Sequence, residues 1–104
     1  MKVLIVEDEV MAQQSLLRML NRLFPEVEVV GTCRSVEDTV RFLEDPEHRV
    51  DVIFMDVELS DGVCFEIFKR TDVKAKVVMT TAYDTYAIKA FEAGSVDYLL
   101  KPID

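Results

Sequence analysis

The chain has 104 residues, half of them hydrophobic, which suits one domain built around one core. Twelve basic residues against twenty acidic ones leave a net charge of −8. That balance repels phosphate backbones and argues against this segment binding DNA or RNA itself. No apolar run is long enough for a signal-peptide core or a membrane span, and no basic cluster suited to an anionic membrane appears, so the chain reads as cytoplasmic with no membrane partner.

The elements alternate along the chain. Residues 3–6, VLIV, form a short apolar run that reads as a strand. The segment EDEVMAQQSLLRMLNRLF follows, with Met11, Leu16, Leu20, Leu23 and Phe24 near helical spacing and Pro25 as its stop. VEVVG, 27–31, alternates apolar and polar residues as an edge strand does. Ser35 then caps SVEDTVRFLED, with Asp38 as a capping-box-like partner and Val36, Val40 and Leu43 as its apolar stripe. VIFM, 52–55, reads as a strand buried on both faces and delivers Asp56 at its end. After VELSDG, where Asp61-Gly62 is turn chemistry, come a short helix VCFEIFKR and a strand KVVMT, 76–80. Asp84 opens a helix DTYAIKAFEA that Gly94 ends, and VDYLL, 96–100, is the last strand.

Five alternations in about a hundred residues predict an α/β domain with a parallel sheet and helices on both faces. The two cysteines, Cys33 and Cys64, lack metal-ligand spacing and read as reduced packing thiols. His48, in the polar stretch EDPEHR, reads as a solvated loop residue.

Taken alone, Asp56 is a turn opener. The ends of the other strands change that reading, because sites in open parallel sheets form beyond the carboxyl ends of the strands. The first strand ends in Glu7-Asp8, the third in Asp56, the fourth in Thr80-Thr81 and the fifth in Lys101-Pro102. Three carboxylates brought together repel one another unless a cation sits among them. Mg²⁺ fits, since it takes hard oxygen ligands and keeps several waters. Carboxylates, Mg²⁺, an ammonium and a hydroxyl are the parts that receive and stabilise a transferring phosphoryl group.

Glu7-Asp8, Asp56, Thr81-Ala82 and Lys101-Pro102, in this order and each at a strand end, resemble the receiver domain of bacterial two-component response regulators. The resemblance covers the whole chain. It implies a doubly wound five-stranded parallel sheet of the flavodoxin or CheY-like type, strand order 2-1-3-4-5. DVELSDGVCFEIF and TTAYDTYAIKAFEAGSVDYLLKPI resemble, more finely, receivers that carry a LytTR-type DNA-binding domain. By that resemblance Asp56 is the nucleophile and the modified residue, taking its phosphoryl group from a sensor histidine kinase. Asp8 and Asp56 ligate Mg²⁺ with the backbone carbonyl of Glu58, and Glu7 acts on the metal through water. Lys101 and Thr81 hold the phosphoryl oxygens. Thr81 and Tyr98 form the switch, Lys101-Pro102 is a cis peptide, and phosphorylation promotes a homodimer. Tyr83 and Tyr86 are surface or partner contacts.

Domain organisation follows as an expectation: residues 1–104 form a receiver whose last helix and output domain lie outside the chain, with DNA contacted only through that output domain. The uncovered strand face would then lower stability and invite association. Ser60 stands where many receivers have proline, which should loosen the loop. An aspartyl-phosphate phosphatase would need a second acid two residues after the first, the position of Glu58, together with a cap domain, and is not the expectation here. A receiver that signals by protein–protein binding alone is the main alternative; the modification of its own Asp56 is self-catalysed in either case, with no turnover of a separate substrate.

Overall fold

A computed structural model of the chain describes residues 1–81 and the backbone of 97–100, with the Thr81 side chain left undescribed. The predicted helix 84–93, Gly94, Tyr83, Tyr86 and the Lys101-Pro102 peptide lie outside the described residues, as do the side chains of Thr81 and Tyr98.

Five strands form one parallel sheet: β1 (Lys2–Val6), β2 (Glu28–Cys33), β3 (Val52–Asp56), β6 (Lys76–Thr81) and β7 (Asp97–Leu100). Their order is β2-β1-β3-β6-β7, the expected arrangement with β1 and β3 side by side at the centre. Between β3 and β6 lies an antiparallel pair that the sequence did not announce, β4 (Glu58–Leu59) with β5 (Gly62–Val63). The helices are α1 (Val10–Leu23), α2 (Val36–Glu44) and α3 (Phe65–Arg70).

Alternation along the central strands divides the core in two. Val3 and Ile5 of β1 meet Leu16 and Leu20 of α1, with Val29, Val52 and Phe54 packed alongside. Leu4, Val6, Ile53, Met55, Val77 and Met79 point the other way and meet Val36 and Val40 of α2 and Ile67 of α3. Helices thus cover both faces, and β1 is buried over its four apolar residues as a central parallel strand should be.

The stripe expected for α1 needs correction. Leu16 and Leu20 are buried, but Met11 is 80% exposed and Leu23 and Phe24 are about half exposed. Met11 lies five residues before Leu16, about 140° round the helix at 100° per residue, so it cannot share that face. Leu23 is the last helical residue, and Phe24 is the C-cap, whose N–H bonds the Leu20 carbonyl just before Pro25.

Strand β2 also runs further than its alternation suggested, to Cys33. Its pairing with β1 shifts register once, where Val3 faces Val29 and Leu4 faces Gly31, leaving Val30 as an extra residue. Gly31 sits against the Phe42 ring: a Cβ built there would lie 3.0 Å from Phe42 Cε2 and 3.5 Å from Leu4 Cδ1. The same ring stacks on His48, centroids 3.9 Å apart.

The cap predicted for α2 is present. Ser35 Oγ accepts from the Asp38 N–H at 3.0 Å, and the Thr39 hydroxyl donates to the Ser35 carbonyl at 2.7 Å. Asp38 directs its carboxylate to Arg41, 3.4 Å away. A second cap comes from 25 residues away: Asp61 accepts from the Val36 N–H at 2.7 Å, and at 3.1 Å from that of Glu37. The residue read as turn chemistry therefore turns the β4–β5 hairpin and closes the helix start together. Gly62, which follows it, has φ +153°, a conformation side chains rarely adopt.

Candidate functional site

The carboxyl ends of β1 and β3 adjoin, and the acids at those ends meet. Among the described residues, one carboxylate oxygen each from Glu7, Asp8 and Asp56 lies within 4.8 Å of the others. Glu7 and Asp56 are buried, and Asp8 is half-buried.

Each acid is placed by its neighbours. Asp56 stands between Met55 and Val57, both fully buried, and the Val57 backbone is held on both sides. Its N–H donates to the Thr80 carbonyl at 3.0 Å, and its carbonyl accepts from the Cys64 N–H at 2.7 Å. Asp56 Oδ1 accepts from the Glu58 N–H at 3.3 Å. Glu7 continues the β1–β2 pairing, its N–H donating to the Cys33 carbonyl at 2.9 Å. Its carboxylate turns back to accept from the Glu9 N–H at 3.2 Å, while Gln13 Nε2 donates to its carbonyl at 2.5 Å. Glu9 is the N-cap of α1, so the trio lies next to the positive end of that helix.

The donor set fits Mg²⁺. All three groups offer hard oxygen, and Mg–O bonds of about 2.1 Å place adjacent ligands about 3 Å apart and opposite ones about 4.2 Å apart. A spacing of up to 4.8 Å accommodates two direct ligands with a third acting through water. The Glu58 side chain is exposed and outside the trio; the role expected of Glu58 runs through its backbone.

Thr80 is the register partner of Asp56, and it is buried. Thr81 stands one residue further along β6, opposite Leu100 of β7. Tyr98 pairs in register with Met79, two residues before Thr81. Lys101 lies outside the described residues. Ser60 lies at the turn of the β4–β5 hairpin, and its hydroxyl donates to the Arg34 carbonyl at 3.3 Å.

Both cysteines are free and buried, as packing thiols should be. Burial pushes the Cys33 thiol up to about 11, with Thr39 opposing. Burial, then the charge of Asp56, pushes Cys64 up to about 12. Neither thiol competes with the carboxylates as a ligand or nucleophile near neutral pH. His48, just past the C-terminal end of α2, stacks on Phe42 and is exposed as expected. No helix among the described residues is long and apolar enough to cross a membrane.

The chain is similar to known proteins along its whole length. The sensory transduction protein LytT of Bacillus cereus is 42% identical over 107 aligned residues, covering all of this chain and 42% of that protein. The transcriptional regulatory protein BtsR of Escherichia coli K12 is 38% identical over 105, covering 99% of the chain and 43% of that protein. The chain thus spans about four tenths of the length of these relatives. Among solved structures, the response regulatory domain of protein mrkE from Klebsiella pneumoniae superposes with a TM-score of 0.84 at 38% identity, covering all of this chain and 85% of that one. The family model of the response regulator receiver domain matches residues 3–104. With nearly every residue matched, the chain belongs to the receiver domains of response regulators.

Proposed function

We propose that the chain is the phosphoacceptor unit of a longer two-component regulator, with Asp56 as the residue modified. The observation that carries this is the buried Asp56 carboxylate at the end of β3, with Glu7 and Asp8 within 4.8 Å. One Asp56 oxygen attacks phosphorus on the phosphohistidine of a sensor histidine kinase. The P–N bond breaks, its electron pair returns to the imidazole, and an acyl phosphate remains on Asp56. Asp8, Asp56 and the Glu58 carbonyl would hold Mg²⁺, and Glu7 would act on it through water. When bound, the ion offsets charge on the transferring oxygens. Lys101 and Thr81 contact those oxygens from the neighbouring strand ends, as the family resemblance implies.

The added charge, about −1.5 to −2, draws Thr81 inward, and Tyr98 follows. The surface around β7 then changes its affinity for a second copy of the chain, and the homodimer sets an output domain on DNA. The length of LytT and BtsR, and the description of BtsR as a transcriptional regulator, favour that output over signalling by protein contact alone.

Intact-mass spectrometry after incubation with acetyl phosphate and Mg²⁺ tests the reading. One phosphoryl group is expected, lost with EDTA and absent from Asp56→Asn. A gain in mass that persists in Asp56→Asn places the chemistry elsewhere and refutes it.

A further inference from the structure

Resting on that reading, we infer that Arg34 is a positioning residue for the cation site and sets its affinity for Mg²⁺. Arg34 follows β2 directly and is exposed, yet it bonds the segments that follow both acid-bearing strands. Its guanidinium donates to the Asp8 carbonyl at 3.2 Å. Its own carbonyl accepts from the Ser60 hydroxyl at 3.3 Å, on the hairpin that begins with Glu58. One residue therefore ties the segment after β1 to the segment after β3.

The arrangement matters because those two segments have no strand ladder between them at this level. The β1–β3 register ends at Val6 opposite Met55, one residue short of Glu7 and Asp56. Beyond that point the spacing between Asp8 and Asp56 depends on side-chain and loop bonds. Mg²⁺ demands near-ideal octahedral geometry and forgives little drift in its ligands. Groups that orient a metal's ligands without touching the metal typically govern affinity 10- to 100-fold. Both bonds of Arg34 are exposed and near the long end of the hydrogen-bond range, so a smaller effect is expected here.

The sign of the effect separates this role from simple electrostatics. An arginine near an acidic cation site repels the ion, so removing it should tighten Mg²⁺ binding on Coulombic grounds alone. Loss of the tie predicts the reverse.

The test is calorimetric titration of the chain with Mg²⁺, without any phosphodonor, at fixed ionic strength. Arg34→Ala is expected to weaken binding about three- to tenfold. Arg34→Lys, which can still donate to the Asp8 carbonyl, is expected to recover most of the loss. Ser60→Ala removes the other bond and is expected to weaken binding by a smaller factor. It also carries the test should Arg34→Ala fail to fold by circular dichroism. Unchanged or tighter binding in the variant tested, or a lysine variant as weak as the alanine one, overturns the inference. If the unaltered chain is phosphorylated on Asp56 with Mg²⁺ while Arg34→Ala binds the ion equally well, the proposed function stands and Arg34 has no part in it. If the unaltered chain binds no Mg²⁺, both fall.

Discussion

Asp61 has two jobs, and only one of them is local. Its place before Gly62 marks a turn from the sequence alone, but its carboxylate closes the start of α2 through the Val36 and Glu37 N–H groups. Desolvation pushes the Asp61 carboxyl up, but those two backbone donors, its own N–H and the charge of Arg70 together outweigh it, so its pKa lies below the ordinary value. A carboxyl lowered in the folded state adds stability that is complete above its unfolded pKa and is lost as pH falls through the folded one. Asp61→Ala should therefore cost about 1 kcal/mol near neutral pH, as lost helix caps do. In urea unfolding, the gap between the variant and the unaltered chain should narrow steadily from about pH 5 to about pH 2. A gap independent of pH would mean that the capping charge contributes nothing. Glu37 shifts in the same sense, held down by its hydrogen bond and then its charge pairing with Arg70, 2.7 Å away. That pair is largely exposed, so screening leaves it a minor contributor.

At the scale of elements, helices and strands were legible where a local pattern decides them, and less so where the tertiary fold does. Ser35 announced the start of α2 because a cap needs only a hydroxyl three residues before a free N–H. VIFM announced β3 because four apolar residues in a row outlast any helical stripe, although only the face of Ile53 and Met55 is fully buried and Val52 and Phe54 are half-buried. The β4–β5 hairpin was hidden, since two-residue strands carry too little pattern to read. The trio Glu7, Asp8 and Asp56 was legible by a different route: a parallel sheet places its strand ends together, so the chain order of the acids was enough. The tie through Arg34 was not, because an exposed arginine after an edge strand has no signature in the sequence. Gly31 shows the same limit from the packing side. Nothing in VEVVG reveals that an aromatic ring will close over the glycine, yet a methyl there would press on Phe42 at 3.0 Å. Gly31→Ala should destabilise by roughly 1–2 kcal/mol, because Phe42 must shift against His48. Urea unfolding reads the change, and a neutral result would show that the ring yields freely.

For the molecule as a whole, net charge and the acidic trio act in the same direction. A chain of charge −8 is strained by self-repulsion, and three of its acids are held together at one end of the sheet. A cation that binds only the folded state adds stability in proportion to the logarithm of its concentration over its dissociation constant. At about ten times that constant, Mg²⁺ should add about 1.4 kcal/mol and raise the thermal midpoint beyond an NaCl control of equal ionic strength. Asp8→Asn should abolish the excess and leave the salt effect, and a midpoint that rises equally with both salts would mean no specific site. The register shift in β2 shows how little sequence the geometry of that site turns on. Between Val29 and Cys33 there are four steps, an even number, which in a regular strand would leave both on one side of the sheet. The extra residue changes the parity: Val29 packs with α1, and Cys33 packs with α2. Chain that has changed sides in this way reaches Arg34 and Ser35 already next to the helix that Ser35 caps and the loops that Arg34 ties. A relative lacking one residue between 28 and 33 could keep every recognisable motif and still present the opposite side of its edge strand to the helix that follows.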